Sequence, residues 1–224
     1  MPKTLSPDDI QQFREAMRRV AENAFATRGA QGVTMRELAK ELGCSAMTPY
    51  RYFRDKEEIF AMVRTAAFNR FAARLEAAAK NAPATDHTAL SDAYVAFALD
   101  EPHAYRLMFG LMFDQTPQQA GYPELAAASQ RAWRLLGAHF ERLVAAGVLE
   151  GDPQLIGYAC WASLHGFTML ALANQLPPPD AQRATASDDA ANDARPLDAQ
   201  RLTREAVFAQ IRRMLWRGAQ PQRR

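Results

Sequence analysis

The sequence is poor in the residues that build disulfide frameworks and metal centres, with two cysteines and four histidines among 224 residues. Cys44 and Cys160 lie far apart inside apolar, helix-like stretches, which fits reduced thiols in a cytoplasmic protein and excludes a disulfide scaffold. His87, His103, His139 and His165 show no ligand spacing, and Cys160 and His165 fall on different faces of a shared helix, so neither a metal nor a cofactor is expected. Gly-x-Ser-x-Gly, phosphate-loop, dinucleotide-binding and Cys-x-x-Cys patterns are missing, which leaves no coherent enzyme chemistry. Alternating β-branched runs are absent and glycine, at 11 residues, is sparse inside the periodic stretches. The chain therefore reads as all-α. A net charge of +2 is too small to mark a nucleic-acid binder by composition. The opening from Met1 to Asp9 lacks the basic and then apolar blocks of a signal peptide, so secretion is not expected.

What is present is a succession of helix start signals. Ser6, Pro7 and Asp9 supply an N-cap, a first-position proline and an acidic first turn, followed by an apolar face of Ile10, Phe13, Met17, Val20 and Ala24 and a closing Gly29. Thr34-Met-Arg-Glu37 is a capping box that opens a second helix, with Leu38 and Leu42 facing inward and Gly43 breaking it. A short third helix is predicted from Ala46 to Phe53. Asp55, with Glu58 completing another capping box, starts a fourth that carries Ile59, Phe60, Val63, Ala67, Phe71 and Leu75. Further helices are predicted over Thr88 to Leu99, Pro102 to Met112, Pro123 to Ala146, Pro153 to Asn174 and Leu202 to Arg217. Residues 176–198, with three consecutive prolines and almost no large apolar side chain, read as a solvated, flexible loop.

Leu155 to Ala173 contains no charge and approaches the ~20 residues that span a bilayer. It also carries Gly157, Tyr158, Ser163, His165 and Gly166 and lacks arginine-rich flanks, so a helix buried on all sides, as in a subunit interface, is the preferred reading.

The informative stretch runs from Gly32 to Phe60. Between Arg28 and Lys56 six cations stand against three carboxylates. A short helix enters a DNA major groove when small or flexible side chains lead and hydroxyls and cations grip phosphate on either side. Ala46, Met47 and Thr48 occupy the leading edge. Tyr50 and Tyr52 can donate to phosphate, while Thr34 and Lys56 sit at helix N-termini that favour anions. Arg36 suits guanine, whose O6 and N7 accept both arms of a guanidinium. Leu38, Leu42, Phe53 and Phe60 are core positions.

Ala39-x-x-Leu42-Gly43, Tyr50-x-Tyr52-Phe53 and Asp55-Lys56-Glu57-x-Ile59-Phe60, in this order and spacing, resemble the DNA-binding domain of the tetracycline-repressor-like (TetR) regulators from Phe13 to Phe60. The resemblance implies base contact at Arg36, Ala46, Met47, Thr48 and Tyr50, and phosphate contact at Thr34, Tyr52 and Lys56. Ser45 and Arg51 complete the candidate DNA-facing set. The chain departs from the family at Met47, where glycine is frequent, and at Pro49, where an aliphatic residue is usual. A proline in that place admits an irregular start to the recognition helix.

Pro102-His-Ala-Tyr-Arg-Leu-Met-Phe-Gly110 and Trp161-Ala-Ser-Leu-His-Gly-Phe167 are similar to the TetR C-terminal subtype known for its Trp, His and Gly. This implies a helical ligand-binding and dimerisation domain over residues 57–224 behind a helix-turn-helix domain over residues 1–56. Phe97, Met108, Phe109, Met112, Phe113, Trp133, Trp161, His165 and Met169 are candidates for an adaptable pocket wall, with ordinary core packing the alternative for each. The function so implied is a homodimeric repressor of double-stranded operator DNA, released by a small apolar or amphipathic effector. An activator or effector-free regulator, or a helical carrier or enzyme built around an apolar cavity, remain alternatives.

Overall fold

The computed structural model describes residues 6–83, 85–109, 121–178 and 202–221. Among these there are eight α-helices and no strand: α1 Pro7–Arg28, α2 Met35–Glu41, α3 Lys56–Asn81, α4 Ala89–Asp100, α5 Pro102–Phe109, α6 Pro123–Ala145, α7 Pro153–Leu172 and α8 Arg204–Ala219, with a 3-10 turn at Pro49–Arg51 between α2 and α3. The loop expected at 176–198 falls, from residue 179 onward, outside the described residues.

Helix starts follow the caps. The Ser6 hydroxyl accepts the Asp9 amide at 3.1 Å while the Asp9 carboxylate answers the Ser6 amide at 3.1 Å. Thr34 and Glu37 exchange the same pair of bonds, at 3.2 and 2.7 Å. Such caps satisfy amides that have no partner within the helix. At the start of α3 the arrangement is offset from the expected box: Asp55 accepts the Glu58 amide at 2.8 Å, but the Glu58 carboxylate receives the Arg54 amide at 2.9 Å. Helix α2 ends in a Schellman motif, with Cys44 N–H bonded to the Ala39 carbonyl at 2.9 Å and Gly43 N–H to that of Lys40 at 3.1 Å. Gly43 holds φ +74°, a conformation other residues adopt only with strain.

The chain divides into two compact units, Met1–Arg74 with Asp100–Trp133, and Leu75–Leu99 with Arg134–Arg224. In the first, Met17, Ala21 and Phe25 of α1, Leu38 of α2, Phe53, Ile59, Phe60 and Val63 around α3, and Leu107 of α5 form one buried cluster. Each buried leucine or isoleucine contributes about 1.5–3 kcal/mol. An ion-pair chain lines the same unit: Arg18 joins Glu15 and Glu22, and Arg70 joins Glu22 and Glu101.

In the second unit, α7 packs along α8. Cys160, Leu164, Phe167, Thr168 and Ala171 form the buried stripe of α7, and Phe167 stacks on Phe208 at 5.1 Å. Gly157 lets the helix approach Phe140, since an added Cβ would stand 3.2 Å from that ring. Of the burial expected on all sides, as in a subunit interface, the single chain supplies one face: Leu155, Tyr158, Ala159, Ala162, Gly166 and Leu170 form an exposed stripe on the opposite side, with Leu155 at 69% and Tyr158 at 61% exposure. One chain covers one face only. By length and composition this helix, at mean hydropathy 1.4, also meets the requirement for a membrane span.

Candidate nucleic-acid interface

The segment from Ser45 to Phe53 departs from the sequence expectation. An α-helix over Ala46 to Phe53 is not formed; a turn leads into the single 3-10 turn Pro49–Arg51. The cause is Pro49, which has no N–H to offer the Ser45 carbonyl. The Thr48 amide takes that acceptor instead at 2.9 Å, an i to i+3 bond. The same tighter spacing continues in Arg51 N–H to Thr48 O at 3.1 Å and Tyr52 N–H to Pro49 O at 2.9 Å, with Phe53 N–H sharing Pro49 O at 2.9 Å.

The result is an exposed lip on a fixed base. Ser45, Ala46, Met47, Tyr50 and Arg51 are exposed, Met47 at 71% and Tyr50 at 52%. Thr48 is half-buried, its hydroxyl 2.9 Å from that of Ser45. Pro49 and Phe53 are buried beneath. Tyr52 is half-buried and its ring stacks on Phe13 at 4.0 Å and 16°, so its face is spent on α1. Arg36 is exposed on the first turn of α2.

The two helix N-termini are partly occupied. Thr34 donates its hydroxyl to Glu37 at 2.7 Å, and this bond, with that from the Thr34 amide, holds the Glu37 carboxyl below its ordinary range. Lys56 is half-buried and its ammonium donates to the Ala30 carbonyl at 2.7 Å, tying the start of α3 to the segment before α2 and leaving further N–H donors on the same nitrogen.

Sequence reasoning missed two arginines. Arg14 of α1 donates to the Tyr52 carbonyl at 2.7 Å and to Glu58 at 3.2 Å, with its guanidinium 4.5 Å from the Phe53 ring centroid. A cation beside the apolar series of α1 was its only signal. Arg64 of α3, 2% exposed, donates to the Met108 carbonyl at 3.1 Å near the C-terminus of α5, where the helix dipole favours positive charge. Burial lowers its guanidinium pKa.

The candidate pocket residues fall in both units. In the first, Met108 is buried, Trp133 is half-buried, and Phe109 sits edge-on to Phe68 at 5.7 Å and Phe71 at 6.4 Å and tilted on Tyr105 at 4.9 Å. In the second, Phe97 is buried and Trp161, His165 and Met169 are half-buried; Trp161 stacks on His165 at 5.5 Å, and the Tyr94 hydroxyl lies 3.5 Å from His165 Nδ1. Burial lowers the His165 pKa. Met112 and Phe113 lie outside the described residues. A groove of about 670 Å³ in the first unit is lined by other residues, among them Arg14, Arg18, Arg54, Glu58, Met62 and Tyr122. Among the described residues no three His, Cys, Asp or Glu side chains are placed to hold a metal.

A capped scaffold helix, a tight turn and an outward lip ahead of a long helix define a helix-turn-helix regulator. Comparison with known proteins gives the family: the model for bacterial regulatory proteins of the tetR family matches residues 18–63, and that for the tetracyclin repressor-like C-terminal domain matches residues 87–211. The chain belongs to the TetR family of transcriptional regulators. It is 28% identical over 131 residues to an HTH-type transcriptional regulator of Mycobacterium tuberculosis, covering 57% of this chain and 53% of that protein. The chain thus spans about half the length of the curated relatives it matches. A protein of unknown function from Rhodococcus sp. RHA1 superposes with TM-score 0.68 at 26% identity, over 99% of this chain and 100% of that one. The TetR family regulator PfmR of Thermus thermophilus superposes with TM-score 0.62 at 20% identity, over 92% and 99% of the two chains. The family assignment points to transcription regulation rather than enzymology.

Proposed function

We propose that this regulator acts in the cytoplasm as a homodimeric repressor, binding a palindromic double-stranded operator and releasing it when a small apolar or amphipathic effector binds. Residues 1–56 read DNA and residues 57–224 bind effector and partner subunit. The observation that carries the reading is the lip of Ala46, Met47, Tyr50 and Arg51 standing exposed over buried Pro49 and Phe53. Apolar methionine and tyrosine held in water have a use if the element enters a groove, Thr48 and Arg36 adding base contacts and Thr34, Ser45, Tyr52 and Lys56 contacts to phosphate.

Dimerisation is supported by the second stripe of α7, apolar or small throughout and free of charge, which is what close helix packing across a twofold axis uses. Binding a palindromic operator as a dimer requires two recognition elements about 34–36 Å apart on successive major grooves. An effector would meet the candidate wall residues Trp161 and His165, beside Tyr94, in the second unit, or Phe109 and Met108 in the first. Occupancy would shift the population away from the spacing that fits the operator.

The test is a mobility-shift titration with the DNA segment upstream of the protein's own gene against a scrambled duplex of equal length. Preferential binding as a dimer, weakened by the molecule that co-purifies with the protein, is the expected result. Equal binding to both duplexes at every salt concentration refutes the operator reading.

A further inference from the structure

A recognition element of one 3-10 turn cannot hold its own conformation, because helical segments this short are unstable in water without tertiary support. Its internal bonds are the four that begin at Thr48 N–H and end at Phe53 N–H, and they leave the Tyr52 carbonyl outside the helical pattern. Support comes from α1 and α3. Arg14 Nη1 donates to the Tyr52 carbonyl at 2.7 Å, and Nη1 and Nη2 both reach Glu58 Oε1 at 3.2 Å. The other Glu58 oxygen receives the Arg54 amide at 2.9 Å and pairs with the Arg54 guanidinium at 3.5 Å. The Arg14 plane covers Phe53, and its chain neighbour Phe13 stacks on Tyr52. Consecutive residues after the lip, Tyr52, Phe53 and Arg54, are therefore gripped by one arginine from α1 and one glutamate from α3.

We infer that Arg14 is a positioning residue for DNA reading: with Glu58 it fixes the C-terminal end of the Pro49–Arg51 turn, setting the direction in which Met47, Tyr50 and Arg51 project, without touching DNA itself. The inference rests on the operator-binding reading above for its consequence, but not for its geometry. A lysine in the same place supplies a charge and a donor to Tyr52 but neither the two-armed bond to Glu58 nor a flat cover for Phe53.

The test uses the full chain with R14M, R14K and E58Q and the double variant R14M/E58Q. Amide hydrogen exchange in the DNA-free protein is the first readout. In R14M the Tyr52 and Phe53 amides are expected to exchange about tenfold faster while those of Leu38 and Val63 keep wild-type protection. The second readout is affinity for a duplex selected by the wild-type protein from a random-sequence pool, against an unselected duplex at the same salt. R14M is expected to lose about tenfold on the selected duplex and nothing on the unselected one, with R14K intermediate and the double variant no worse than R14M. Unchanged exchange at Tyr52 and Phe53 overturns the inference, as does an equal loss on both duplexes, which would make Arg14 a phosphate contact. A wild-type protein that selects no sequence sinks the operator reading instead, and the exchange data still judge the clamp. Should R14M not fold, R14K and E58Q carry the same comparison.

Discussion

Replacing Leu155 by aspartate tests the proposed α7 dimer interface separately from folding. Leu155 is 69% exposed in the single chain and lies in the first turn of α7, whose N-cap is Asp152 and whose first turn carries no acid. Burying a whole leucine contributes about 1.5–3 kcal/mol, so covering the remaining two-thirds is worth ~1–2 kcal/mol per subunit and ~2–4 kcal/mol across a twofold interface. The dimer dissociation constant is then expected to rise about 30- to 1000-fold, more if the two new carboxylates face each other. Aspartate at that place favours the helix itself, by ~0.3–1 kcal/mol through the N-terminal dipole. Helix content by circular dichroism should therefore stay unchanged. Sedimentation equilibrium over a concentration series measures the effect. A dimer whose dissociation constant moves less than about threefold would place the interface away from this stripe, and the reasoning from exposed apolar area would fail.

Arg36→Ala should narrow the difference in affinity between operator and random duplex by ~1–3 kcal/mol, whereas Lys56→Ala should weaken both alike and reduce the salt slope by about one; equal losses on both duplexes for Arg36→Ala would remove its assigned role. Burial, aided by the Arg142 guanidinium, lowers His139 to about 4, against about 6.5 in an unfolded chain. The unfolded state then binds more protons between those values, so stability present above pH 6.5 is lost as pH falls toward 4. Thermal melts across that window should show the decline, and His139→Gln should make it shallower; a slope unchanged by the substitution would put the titrating group elsewhere. Burial, opposed by a bond with Ser91, raises the Cys160 thiol to about 11, so an aromatic disulfide reagent should label half-buried Cys44 in the native protein and reach Cys160 only on unfolding.

The helix starts at Ser6 and Thr34 were legible because a cap is a local event, completed within three residues of chain. The all-α class and the family followed from periodicity and from motifs at fixed spacing. The form of the recognition element was not legible, although its disturbing residue was. Pro49 removes one donor, but whether the chain answers with a shifted start or a 3-10 turn depends on what else holds the segment. Tyr52 likewise reads as a phosphate donor in sequence, yet its ring lies on Phe13, a partner 39 positions earlier that no local pattern announces.

Sequence alone thus determined the class of fold and the capped starts of α1 and α2, since these depend on short-range stereochemistry and on side-chain type. Tertiary structure decided which apolar stripe of α7 the chain covers for itself and which it leaves bare, and that Arg14 of α1 reaches the Tyr52 carbonyl and Glu58 behind the Pro49–Arg51 turn. Both depend on contacts between segments far apart in the chain, and the free energy of such contacts is set by the packing of the whole unit.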